Sequence, residues 1–279
     1  MLVLRKFARD ASGMAGFVIV ALAALVALLA PWLAPHPLDA HESHPVQRLQ
    51  APSRDFPFGT DNLGRDVLSR VILGARPALT VALLVVGASM AIGVPLGLVA
   101  GYRSGWTSEA IMRVTDVVLA VPQLILALAL AQLLGPSLRN AMVALTLTYW
   151  PFFTRIVYAE TRRLKTAVFV EALQGLNAGG PRIMFAHILP NAAPSIIVRA
   201  TIGMGFTILS AAVLGFLGMG ATPPDPEWGL AVAESREYLP DAWWFATFPG
   251  IAIFLVVFGF NLFGDGLRDV VDPRLRRSR

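Results

Sequence analysis

The chain of 279 residues contains no cysteine, few charged residues and almost no lysine. The absence of cysteine excludes disulfides and thiolate metal clusters, so we expect no redox role. Charged residues make up 15% of the chain, whereas 56% of its residues are hydrophobic. A water-soluble core of this length could not hide so much apolar surface. The composition therefore predicts a protein that is solvated by membrane lipid.

The short motifs that carry catalysis are also missing. Neither Lys6 nor Lys165 follows a glycine, so the sequence has no phosphate-binding loop of the Gly-x-x-x-x-Gly-Lys-[Ser/Thr] type. It has no Gly-x-Ser-x-Gly and no His-Glu-x-x-His motif. We therefore predict no catalytic residue, no metal site and no cofactor in this chain. The net charge of +5 does not predict nucleic-acid binding, because the arginines lie at the ends of apolar segments and not along one soluble face.

Six apolar runs are long enough to cross about 30 Å of hydrocarbon as helices. We predict spans near Gly16–Leu33, Leu79–Gly101, Val117–Leu134, Ala141–Tyr158, Ser195–Phe216 and Phe245–Phe263. The predicted fold class is an all-α membrane protein of about six transmembrane helices. A cleaved secretory signal is the alternative for the first span, since basic residues precede it. Prolines and glycines inside later spans favour a packed bundle.

Basic residues in short loops predict which side of the membrane is cytoplasmic. With six crossings, three basic clusters fall on one side: Arg5, Lys6 and Arg9; Arg155, Arg162, Arg163, Lys165 and Arg182; Arg274, Arg276, Arg277 and Arg279. The loop after the fifth span is acidic and fits the outer face. Both termini are therefore predicted to be cytoplasmic.

The outer segment between the first two spans divides into two parts. The stretch from His36 to Pro57 reads as an extended loop, and its histidines His36, His41 and His44 leave a weak alternative of a metal site. After Gly64 an amphipathic pattern predicts a short interfacial helix that Thr60 or Asp61 caps. Pro77 is predicted to end this helix or to open the next span.

A segment after the fourth span predicts two short helices joined by a glycine turn. Thr166 is the expected cap of the first helix, and Asn177 can take the left-handed conformation that ends it. Pro181 suits the start of the second helix, which we expect to finish before Pro190. The pair is too short to span a membrane. It could form a cytoplasmic knob with an apolar stripe of Phe169, Leu173 and Leu176, or an interfacial helix on lipid headgroups.

The run from Glu171-Ala172 through Asn177 to His187-Ile188-Leu189-Pro190-Asn191 resembles the EAA loop of binding-protein-dependent ABC importer permeases. In that family the loop inserts a coupling helix into a cleft of the ATPase subunit. Leu173 stands where alanine is usual, and Asn177 where glycine is usual. The resemblance implies that the ATPase-coupling residues are Phe169, Glu171, Ala172, Leu173, Leu176, Asn177, Arg182, His187 and Pro190.

Three further segments resemble the C-type subunits of dipeptide, oligopeptide and nickel importers. They are Gly59–Asp66, Pro223–Gly229, and Asn261–Asp269 followed by Asp272-Pro273-Arg274. The resemblance implies a type I (MetI-like) permease in a bacterial inner membrane. It also implies a second permease subunit, two ATPase subunits that bind ATP and Mg²⁺, and an external solute-binding protein. The implied substrate is a di- or oligopeptide, with nickel or another small solute as the alternative.

Domain bounds and further candidate residues follow from these assignments. We expect a cytoplasmic N-terminus at 1–15, a first helix at 16–35, a periplasmic loop with an amphipathic helix at 36–78, and a type 1 transmembrane domain at 79–279 with its coupling loop at 159–194. Candidates for the substrate path are Gln123, Thr146, Thr207 and Asn261, with interhelical hydrogen bonds as their alternative role. Candidates for docking the binding protein are Arg65, Asp225, Glu234 and Glu237.

A secondary transporter and a membrane scaffold are the rival functions. An ion-driven transporter usually places an ionisable residue near mid-membrane, whereas Arg155, Glu160 and Arg199 are expected near the cytoplasmic ends of their spans. A scaffold would leave the breaker-rich spans without explanation.

Overall fold

The computed structural model describes residue 7, residues 10–38, residue 40 and residues 42–271. These residues form nine α-helices and short 3₁₀ turns, and they contain no β-strand. The helices are α1 Ala11–Leu33, α2 Val67–Tyr102, α3 Trp106–Ala120, α4 Gln123–Leu134, α5 Leu138–Lys165, α6 Val168–Gly175, α7 Gly180–Phe216, α8 Trp228–Ser235 and α9 Trp243–Val271. The basic residues of the two terminal clusters, Arg5 to Arg9 and Arg274 to Arg279, lie outside the described residues.

Four of these helices are long and apolar enough to cross a membrane, namely α1, α2, α7 and α9. Helix α5 has 28 residues but a less apolar composition. Side chains such as Leu28, Leu83 and Phe254 are more than 60% exposed on this bundle. In water they would form a large apolar surface, so lipid is the medium that suits them.

The third predicted span, Val117–Leu134, is wrong as a single helix. Helices α3 and α4 meet at an angle of 88°. Val121 is extended because the ring of Pro122 disfavours helical backbone in the residue before it. Pro122 then opens α4. The bend interrupts the predicted span and brings Gln123 to the start of a helix.

Helix α2 begins 12 residues before the predicted Leu79 and continues through Pro77. Its cap is Asp66, whose carboxylate accepts from the backbone N–H groups of Leu68 and Ser69. The prediction of a separate interfacial helix capped by Thr60 or Asp61 is therefore wrong. A proline does not end a helix in a bundle when neighbouring groups satisfy the carbonyl that it frees.

Helix α7 also continues through a proline that was expected to end a short helix. A π-helical turn at Ile183–Ile188 precedes Pro190, and the N–H of Leu189 donates to the carbonyl of Met184, five residues back. Because the π turn shifts the hydrogen-bond pattern by one residue, the missing N–H of Pro190 does not break the helix. The result is one helix of 37 residues, Gly180–Phe216.

Close packing of α2 on α5 holds the centre of the bundle together. Gly93, Gly97 and Gly101 recur every four residues on one face of α2. A Cβ atom at Gly97 would lie 2.6 Å from the carbonyl oxygen of Thr154. The missing side chains let the two backbones approach directly. Buried Leu98, Phe153 and Val157 fill the neighbouring core.

Candidate functional site

The knob between α5 and α7 consists of α6 and the turn that follows it. Val170 is buried and Leu173 is partly buried, and both pack against the core of the bundle. Phe169, Glu171 and Leu176 are exposed. The predicted apolar stripe is therefore divided, because Leu173 faces the protein itself.

The turn after α6 has the backbone that the sequence predicts. Asn177 has a positive φ of 60°, and the N–H of Ala178 donates to the carbonyl of Leu173 at 3.0 Å. This six-to-one hydrogen bond is the Schellman ending of a helix. Thr166, in contrast, does not cap α6, because its hydroxyl donates to the carbonyl of Arg163 at the end of α5.

Contacts at its base hold the knob against the bundle. Lys165 donates to the carbonyl of Tyr102 at 2.6 Å, and its ammonium lies 5.4 Å from the centre of the Tyr102 ring. Gly180 lies against the same ring. Of the other coupling candidates, Ala172, Arg182 and Pro190 are exposed and His187 is half-buried.

A cavity of about 290 Å³ lies between the middle parts of the long helices. It is lined by Gln123, Tyr149, Phe152, Arg199, Ile202, Phe206, Leu209, Val257 and Asn261. Gln123 and Asn261 were candidates for the substrate path, and the structure brings them to one cavity. Thr146 donates to the carbonyl of Met142 and Thr207 is buried, and neither lines this cavity.

Arg199 is a cavity residue that was not among the sequence candidates for the substrate path. It lies about halfway along the 37 residues of α7, a helix that begins beside the knob at Gly180, so its expected place near the cytoplasmic end of the span stays a prediction. Its guanidinium carbon is 5.4 Å from the ring centre of Tyr149 and 4.9 Å from that of Phe152. The sequence feature that could have indicated Arg199 as a cavity residue is its position as a single arginine inside an apolar run.

Arg65 belongs to a buried ion cluster at the opposite end of the bundle from the knob. Its side chain is fully buried, and it pairs with Asp61 and, at 2.8 Å, with Glu234. Arg70 lies 3.5 Å from the Asp61 carboxylate in the same cluster. Arg65 is therefore inaccessible to a partner, and its prediction as a docking residue is wrong for this conformation.

Two of the other outer candidates, Asp225 and Glu237, are exposed. Glu234 is mostly enclosed, because its carboxylate pairs with Arg65 in the ion cluster. The neighbouring Glu227 caps α8, accepting from the N–H groups of Gly229 and Leu230 at 2.8 and 2.7 Å. Burial raises the pKa of Glu227, and the two N–H donors oppose that rise. Among the histidines considered for a metal site, His41 lies outside the described residues.

Comparison with known families assigns this arrangement. Residues 93–277 match the family described as binding-protein-dependent transport system inner membrane component, and residues 1–52 match the N-terminal transmembrane domain of oligopeptide transport permease C. The chain belongs to the binding-protein-dependent transport permeases. It is a multi-pass inner membrane permease of an ABC importer, and the family is not a family of enzymes.

Relatives of this permease include several with named substrates. The dipeptide transport system permease protein DppC of Alkalihalophilus pseudofirmus is 42% identical over 98% of this chain and 89% of its own length. The probable D,D-dipeptide transport system permease protein DdpC of Escherichia coli K12 is 42% identical over 92% of this chain and 86% of its own. The glutathione transport system permease protein GsiD of Pectobacterium atrosepticum is 40% identical over 98% and 90%.

Solved structures support the fold of the permease. An inward-facing MetNI methionine ABC transporter contains a chain that matches with a TM-score of 0.59 and 21% identity, over 72% of this chain and 96% of that chain. The predicted MetI-like fold is therefore confirmed.

Proposed function

We propose that this permease and a second, homologous permease subunit form the path by which di- or oligopeptides cross the inner membrane. Two separate subunits would bind ATP and Mg²⁺ and hydrolyse the ATP, since this sequence has no phosphate-binding loop. A solute-binding protein would deliver the peptide. The names of the relatives support a peptide substrate, because two are dipeptide permeases and glutathione is itself a tripeptide.

One observation carries the proposal: a single helix connects the exposed knob to the cavity. Helix α7 begins beside the knob at Gly180 and carries Arg199, Ile202, Phe206 and Leu209 into the cavity lining. A continuous helix moves as a rigid body, so a displacement of the knob would reach the cavity. The hydroxyl of Ser195 donates to Glu160 at 2.7 Å, which ties α7 to α5 on the way.

The ATPase subunits would bind Phe169, Glu171, Leu176 and Asn177, which the knob leaves exposed. Leu173 would support α6 from behind instead of touching the ATPase. Leu173, which stands where the family usually has alanine, would thus pack α6 against the bundle. Basic residues around the knob, including Arg162 and Arg182, favour a cytoplasmic position for it and for both termini. The exposed Asp225 and Glu237 would then face the binding protein.

The test is replacement of Glu171 in the purified importer. We expect Glu171→Ala to lower ATP-dependent peptide uptake at least about tenfold, because removal of one charge-assisted contact at an interface costs about 1.5 to 3 kcal/mol. Membrane insertion should be unchanged. Glu109→Ala is the matched control, since Glu109 is an exposed carboxylate in the first turn of α3, outside the knob. Equal uptake by both variants would contradict the coupling role.

A further inference from the structure

The cavity contains a cation without a carboxylate partner. Arg199 lines it, and no carboxylate among residues 10–38 and 42–270 lies within ion-pair distance of its guanidinium. The rings of Tyr149 and Phe152 attract the charge through their faces, but they accept no conventional hydrogen bond. An arginine within an apolar helix is costly, and such residues mark sites of function in membrane proteins. The guanidinium therefore has hydrogen-bond donors to offer to a ligand.

A second donor lies beside it without an acceptor. Tyr149 is 1% exposed, and its hydroxyl has no hydrogen-bond partner in the described structure. The hydroxyl lies against Gly203, where an added Cβ would be 2.5 Å from the oxygen. Gly203 is one helical turn beyond Arg199 on α7, so both donors meet the same face of that helix. Buried hydroxyl groups normally have a hydrogen-bond partner, whereas the Tyr149 hydroxyl has no acceptor among the described residues.

A buried hydroxyl without a partner and a half-buried guanidinium without a protein acceptor together favour an anion with more than one oxygen. A carboxylate fits the planar fork of a guanidinium and can accept from a phenol at the same time. The amides of Gln123 and Asn261 line the same cavity and can bind peptide groups. The apolar lining offers room for a small side chain, and the volume of about 290 Å³ is just below the roughly 300 to 1,000 Å³ of typical ligand pockets.

We propose that Arg199 and Tyr149 bind the C-terminal carboxylate of a small peptide while it crosses the membrane. This inference rests on the proposed peptide transport and adds a substrate-recognition site within the path itself. The site lies on the helix that begins at the knob. A displacement of the knob would therefore reach the carboxylate site through α7.

The test uses the whole importer, purified through this chain, in proteoliposomes with its binding protein and a defined mixture of dipeptides and longer peptides detected by mass spectrometry. We expect Arg199→Gln to lower the maximal uptake rate about tenfold, because a charge-assisted hydrogen bond is lost. Arg199→Lys should restore part of the rate, since it keeps the charge but not the fork. Tyr149→Phe should lower the rate about threefold. Basal ATP hydrolysis and the half-saturating concentration of loaded binding protein should stay unchanged.

Arg48→Gln is the matched control, because Arg48 also lies over an aromatic ring, that of Tyr238, but on an exposed loop. It should transport at the wild-type rate. Failure of the wild-type importer to take up any dipeptide or any longer peptide would overturn the proposed function. Normal uptake by the wild type together with equal rates for Arg199→Gln and Arg199→Lys would overturn the carboxylate site alone. Loss of basal ATP hydrolysis in both Arg199 variants would show a structural role and would also overturn it.

Discussion

At the scale of single residues, the outer ion cluster shows how context changes the meaning of a charge. Arg65 occurs in a polar segment of the sequence, where exposure is the natural expectation. In the structure it is enclosed by Asp61 and Glu234, and Arg70 completes the cluster. Glu234 comes from α8, far along the chain, so this burial depends on tertiary folding.

Arg65→Met should destabilise the purified protein by about 3 to 5 kcal/mol, because Asp61 and Glu234 would keep only the more distant Arg70 as a cationic partner. Arg163→Met should cost no more than about 1 kcal/mol, since the ion pair of Arg163 with Glu160 is exposed. Thermal unfolding of both variants in the same detergent measures the difference. Equal unfolding midpoints would show that the outer cluster does not stabilise the fold.

At the scale of helices, the seam between α2 and α5 depends on glycine. Gly97 lies where the two backbones touch, whereas Gly87 on the same helix has no atom within 4 Å of an added Cβ. Both positions are glycines inside the same helix, so their intrinsic helix propensity is equal. A difference in stability between the two alanine variants therefore reports a difference in packing. Sequence alone shows both as breakers in an apolar run and does not distinguish them.

Opposite effects are expected when the two glycines are replaced by alanine. Gly97→Ala should destabilise the protein by about 1 to 3 kcal/mol through overpacking against Thr154. Gly87→Ala should stabilise it by about 0.5 to 1 kcal/mol, because alanine favours helix and meets nothing. Chemical or thermal unfolding followed by circular dichroism measures both signs. Stabilisation by both substitutions would contradict the close α2–α5 contact.

At the scale of the whole molecule, the knob and the outer loop lie at opposite ends of the bundle. Helix α7 leaves the knob at Gly180 and ends at Phe216, before the loop that leads to Glu237. The proposed orientation places the knob in the cytoplasm. Because the chain has no cysteine, a single introduced thiol reports the side of the membrane without background.

Glu237→Cys should react with a membrane-impermeant maleimide added to intact spheroplasts. Arg162→Cys, beside the knob but outside the residues proposed to bind the ATPase, should react only after the membrane is opened, since the native side chains of Glu237 and Arg162 are both exposed but at opposite ends. Gel-shift labelling of the two variants measures the accessibility. The reverse pattern would place the knob outside and would exclude coupling to a cytoplasmic ATPase.

Sequence by itself determined the four most apolar spans, the glycine turn with Asn177 at positive φ, and the family, because these depend on local composition and short motifs. Tertiary structure decided whether prolines interrupt helices. Pro122 ends one, whereas Pro77 and Pro190 do not, since neighbouring groups or a π turn can satisfy the backbone.

Tertiary structure also decided where charges lie. Arg65 is buried and Arg199 lines a cavity, because contacts from distant helices set the surroundings of each side chain. A local pattern gives the identity of a charged residue and the helix that carries it. The partner of that charge comes from elsewhere in the chain, and only the packed bundle determines it.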